Sequence, residues 1–161
     1  MRPVTIPRFA LLALVLPLVG CVGAAENTLQ NTRTVVSISA TTLNKIEPAI
    51  TRSYRQGLNA CLWGPMGKKA TTPLAEQETC VDRVQAQHKE TTDAYDVAAE
   101  VVTSAETTIL AAEAALAAGR MPSLVKFLTL AGEVLEVMHK LEMAHRNLRR
   151  FFVTPSPGAT P

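Results

Sequence analysis

Leu74, Val81, His88, Tyr95, Val102, Ile109 and Leu116 follow one another at a constant spacing of seven residues. A companion set, Val84, Thr91, Ala98, Ala105 and Ala112, keeps the same period. Residues seven apart share a face of an α-helix, whereas an odd spacing puts them on opposite faces of a strand. A repeat held this long therefore predicts a coiled-coil-like helix of about 45 residues, close to 70 Å at about 1.5 Å per residue. Thr72 is placed to cap its start, Pro73 to occupy the first helical position, and Glu76 and Glu78 to meet the positive end of its dipole. Gly119 marks its end. The companion seam is made of small side chains, so a partner helix can approach closely along the later half.

Two further helices follow from the same pattern. Leu29, Val36, Leu43 and Ile50, with Tyr54, Leu58, Cys61 and Leu62 after them, draw one apolar stripe from about Thr28 to Trp63. Pro48 is expected to kink or divide that helix near Glu47, and the Thr- and Ser-rich run from Thr32 to Thr42 supplies weak helix formers. After Met121-Pro122-Ser123 a last helix is expected from Ser123 to Phe152. Its inward positions are Phe127, Val134, Leu141 and Leu148 with Ala131, Met138, His145 and Phe152, widened by Leu128, Leu130, Leu135 and Val137. "GPMGKKATTP", Gly64 to Pro73, reads as a loop, and "TPSPGATP" at the end as a disordered Pro-rich tail over 154–161.

Aromatic residues make up only 4% of the chain, which argues against a β-sandwich core. Segment charges are about +4 for 26–75, −7 for 76–118 and +3 for 120–161. An acidic middle helix between two basic ones predicts an all-α fold, a long antiparallel helical hairpin within a three-helix bundle. The middle helix exceeds the last in length, so part of it is expected to project or to pair with another copy.

The first twenty residues read as an address. Arg2 and Arg8 precede the apolar run "FALLALVLPLV" of eleven residues, Phe9 to Val19, a secretory pattern too short to span a bilayer as a mature helix. Leu18-Val19-Gly20-Cys21 then resembles the lipobox of bacterial lipoproteins. That resemblance implies removal of 1–20, a diacylglyceryl thioether on Cys21 as residue one of the mature chain, and a tether over 21–26 before a bundle over 27–153. Two or three acyl chains anchor stably where one exchanges. Val22 is not the aspartate that resembles an inner-membrane retention signal, so in a Gram-negative host the outer membrane, facing the periplasm, is the expected place. An ordinary signal peptide cleaved after Ala24 or Ala25 is the competing reading.

With Cys21 committed to lipid, Cys61 and Cys80 remain as a pair in a compartment that permits disulfides. They lack the paired spacing and neighbouring histidines of a zinc site. Without Arg2 and Arg8 the chain has fourteen basic and fourteen acidic side chains, so nothing draws it to nucleic acid.

Candidate chemistry is sparse. "EVMHKLEMAH" contains Glu136-x-x-His139 and Glu142-x-x-His145, resembling the metal-binding element of ferritin-like bundles. At about 100° per residue Glu136 and His145 fall on opposite sides of one helix, so no metal site or cofactor is expected, with His145 in the core and the other three solvated. "GPMGKK" has the wrong glycine spacing for a phosphate loop and no strand before it. His88, at a core heptad position, is read as a hydrogen-bonded polar group in the seam rather than a pH-sensitive register element. Arg146, Arg149 and Arg150 share a face at i, i+3 and i+4 beside Phe151 and Phe152, a patch able to meet anionic lipid or polymer, or simply to complement the helix dipole.

No Ser/His/Asp or Cys/His arrangement suggests catalysis, and an enzyme is not expected. The expected function is that of a lipid-anchored scaffold or accessory subunit, with a protein partner or a second copy on its helical surface. A helical module holding a small ligand or envelope polymer in a cavity near Tyr95 and Met138 is the alternative. A phage-type lysis lipoprotein resembling outer-membrane spanin subunits is a third reading, suggested by the lipobox, a helix and the Pro-rich end.

Overall fold

The computed structural model describes residues 23–63, 73–120 and 122–150. They form three helices: α1 (Gly23–Trp63), α2 (Leu74–Ala117) and α3 (Leu124–Arg150). Every pair of helices is in contact, which makes an all-α three-helix bundle. The tail 154–161, Phe151, Phe152 and the loop 64–72 lie outside the described residues, as does Thr72.

Leu29, Val36, Leu43 and Ile50 of α1 and Phe127, Val134, Leu141 and Leu148 of α3 are all buried and meet in one core. On α2 the small seam is the deep one: Val84, Thr91, Ala98, Ala105 and Ala112 are buried throughout. The larger seam is buried only at Val102 and Ile109, while Val81, His88, Tyr95 and Leu116 are half-buried and Leu74 is exposed. Small side chains at the centre of the contact let the three backbones draw together. Thr91, fully buried, donates its hydroxyl to the Gln87 carbonyl at 2.7 Å and lies 3.3 Å from the Ala144 carbonyl across the α2–α3 interface.

Several boundaries differ from expectation. Helix α1 is already helical at Gly23, so most of the expected 21–26 tether belongs to the rod. It also continues through Pro48 in place of a division there. Pro48 and Asn44, whose carbonyl loses its amide partner, both lie on the exposed face, where water takes the freed acceptor. Pro73 precedes α2 as its cap residue instead of opening it, with no side-chain cap bond. Leu62 and Leu128, expected in the stripes, are 46% and 43% exposed. Each helix meets only two neighbours, so a stripe widened to these positions runs past them.

Helix α2 ends where Gly119 was expected to stop it. The Gly119 amide donates to the Leu116 carbonyl and the Arg120 amide to the Ala115 carbonyl, both at 2.9 Å, closing a Schellman motif on a glycine at φ 71°.

The register of α1 against α2 is fixed by cross-helix contacts. Cys61 bonds to Cys80, Tyr54 packs on His88, the Tyr95 hydroxyl reaches Glu47, and Arg33 pairs with Glu113. Moving down α1 moves up α2 in nearly equal steps, the signature of antiparallel packing. Segment charge contributes less than expected: Arg33–Glu113 is the one ion pair between helices among the described residues, the other three being i,i+4 pairs within a helix. A pair this exposed adds at most about 1 kcal/mol. Burial of the seams holds the bundle.

Candidate functional site

The bundle has two chemically different ends. Equal steps of 24 residues from the Glu47–Tyr95 contact carry α1 to Gly23 and α2 to Gly119, so the α1 N-terminus lies level with the α2–α3 turn. Val125 there is 71% exposed and Leu128 43% exposed, and Arg120 and Lys126 are exposed beside them.

The opposite end is closed by the Cys61–Cys80 disulfide, whose Cα atoms are 5.7 Å apart. Leu62 and Trp63 follow Cys61 directly and Leu74 opens α2 six residues before Cys80, at 46%, 51% and 71% exposure. A six-residue step from the Thr91–Ala144 contact carries α3 to Arg150 and α2 to Gln85. Helix α2 therefore runs about ten residues, some 15 Å, beyond the described end of α3, and among the described residues α1 alone accompanies it there. Leu62 and Leu74 were read as stripe positions and Trp63 was not; spacing marks a helical face but not where a neighbouring helix stops covering it.

Arg146, Arg149 and Arg150 lie at this second end and all are exposed. Arg146 folds back onto Glu142 at 2.6 Å, and Arg149 stands close enough to His145 to act on its charge. The patch is thus partly spent on its own helix. It is also separated from Gly23 by most of the length of the bundle, so it faces away from any surface that holds the N-terminus.

The remaining candidates disperse. Glu136 is held by Lys140 at 2.7 Å, whose hydrogen bond and charge lower the carboxyl below its ordinary range, and His139 is exposed. Among the described residues no three His, Cys, Asp or Glu side chains converge on a point that could hold a metal. His88 is half-buried and packs on Tyr54 with ring centroids 4.0 Å apart and a tilt of 40°. Tyr95 is half-buried against the core and donates to Glu47 at 3.4 Å; burial first and that carboxylate second raise its hydroxyl above the ordinary value. Met138 also packs against the core. Surface depressions occur instead beside Glu76, Thr79, Cys80 and Arg83, and between α2 and α3 at Thr108, Val125, Lys126, Thr129, Leu130 and Glu133. "GPMGKK" lies outside the described residues. No helix among the described residues is long and apolar enough to cross a membrane.

His145 was expected in the core and is half-buried, with its Nε2 atom enclosed and lacking a hydrogen-bond partner. Burial first, and the Arg149 guanidinium second, push its pKa below the ordinary 6.5. Folding favours the neutral ring, so the unfolded chain takes up the proton at higher pH than the folded one does. Stability is therefore full above pH 6.5 and falls as pH drops from 6.5 through the lower folded value. A urea-unfolding series from pH 7.5 to 5 should show the midpoint falling, and His145→Gln should flatten it across that window.

No family model matches the sequence, no curated protein matches it, and no solved structure matches the fold.

Proposed function

We propose that the chain is anchored by lipid at Cys21 in the bacterial envelope, on the outer membrane of a Gram-negative host, and works there without catalysis as a spacer or accessory subunit. The observation that carries this reading is the separation of the two ends. Helix α1 spans 41 residues, about 62 Å, from a site one residue after Cys21-Val22 to the disulfide-closed tip. With one intervening residue Cys21 lies at most about 7 Å from Gly23, so acyl chains on Cys21 would hold the rod by its base. The far end then presents Leu62, Trp63, Leu74 and the arginines of α3 to a protein partner or second copy. The stable cross-link at that tip suits an oxidising compartment.

Intact mass of the membrane and soluble fractions tests the anchor. The wild-type product should be found in the membrane, cleaved before Cys21 and carrying diacylglycerol, and Cys21→Ser should abolish both the added mass and the retention. An unlipidated wild-type product in the soluble fraction overturns the reading. A mature protein that stays strictly monomeric and forms no adduct when cross-linked in intact cells overturns its interaction half.

A further inference from the structure

We propose that the α2–α3 turn end of the bundle is itself a membrane contact, seated on the anionic surface of the bilayer that holds the acyl chains; this rests on anchoring at Cys21. Three observations converge on that end. The register of α1 against α2 brings Gly23 level with Gly119, so a lipid on Cys21 holds the turn against the headgroups. Between Glu113 and Glu133 the sequence contains two charged residues, Arg120 and Lys126, and both are basic. Neither has an ion-pair partner among the described residues. Next to Lys126 on α3 stands Val125, at 71% exposure the equal of Leu74 as the most exposed of the large hydrophobic side chains described, with Leu128 one turn further along α3.

Glu26, exposed in the first turn of α1, is the acidic side chain that shares this end, and Glu133 lines the depression beside Lys126. Ala117, Ala118, Gly119 and Ser123 are exposed and small. A valine next to a cation suits the boundary between headgroups and acyl chains: the side chain enters the apolar layer while the charge stays with the phosphates. Seated this way the rod stands on its base, and Trp63 is carried about 60 Å from the bilayer.

The single tryptophan, at the opposite end from Val125, makes the arrangement measurable. The lipidated full chain is reconstituted into phosphatidylglycerol/phosphatidylethanolamine vesicles containing brominated acyl chains, as wild type and as Trp63→Phe with Val125→Trp. Emission from Val125→Trp should fall by about half or more, since a residue within about 10 Å of the headgroup/acyl boundary lies in contact range of the bromines. Emission from Trp63 should be unchanged. Adding Arg120→Glu and Lys126→Glu should restore the lost emission while the protein stays on the vesicles.

Full emission from Val125→Trp on membrane-bound protein overturns the contact and leaves the anchor standing. Quenching at both positions means the rod lies flat and overturns the upright seating. A blue shift that grows with protein density on unbrominated vesicles assigns the patch to a second copy and overturns the lipid assignment. Protein absent from the vesicles because Cys21 is unmodified, seen by mass, overturns anchoring and contact together.

Discussion

Leu141→Ala should cost about 3 kcal/mol of folding stability, within the range of about 2 to 5 kcal/mol seen for large-to-alanine changes in closed cores. Leu141 is 0% exposed and lies mid-way along α3, in the cluster that joins all three helices. Its neighbours on that face, Val134 and Leu148, are equally enclosed, so the side chains around the deleted atoms have no free volume to lend. Equilibrium urea unfolding measures the loss, and Leu128→Ala on the same helix, 43% exposed, serves as the control that should change little. Equal losses for the two would mean that α3 is not seated as described.

Removing the cross-link should be comparably costly but differently distributed. Cys61 and Cys80 are 19 residues apart, and opening a loop of that size costs about 3 kcal/mol in the chain-entropy account. For a domain of this size that corresponds to a drop of about 10 °C in Tm. The paired variant Cys61→Ser with Cys80→Ser, followed by thermal unfolding and amide exchange, separates this loss from a core defect. Beyond Gln85 helix α2 is accompanied, among the described residues, by α1 alone, so the first amides to gain exchange should be those of the tip, Leu74 to Arg83 and Tyr54 to Trp63. Leu141→Ala should instead speed exchange along the whole bundle. A variant without the cross-link that exchanges like wild type at the tip would show that α1–α2 packing alone holds it.

Much of this arrangement was legible in the chain. Leu29 to Ile50 and Phe127 to Leu148 were read as seams and are buried, because a period of seven reports a helical face directly. The pairing of Cys61 with Cys80 followed from their being the two cysteines left. What spacing could not give was the depth of each seam. On α2 the alanines lie deepest and the larger residues lean outward, since how close helices approach depends on the partner's side chains as well as on the helix's own. Register was also hidden. The contacts of Thr91 with Ala144 and Tyr95 with Glu47 depend on how far one helix slides along another, and the arginine patch could be placed at the end remote from Gly23 only once that slide was known. The helical start at Gly23 and the unbroken passage through Pro48 were missed because local propensity is a weak guide within a long helix.

The overhang of α2 beyond α3 makes reach an adjustable quantity. Because described α3 stops at Arg150, short of the tip, seven residues added to α1 before Cys61 and seven to α2 after Cys80 would keep every described seam in phase. The cross-link would move outward by about 10 Å and leave both ends chemically unchanged. The length of this chain is thus adjustable in whole heptads, as one cuts a ruler at its marks, and lengths between those marks would turn the seams to water.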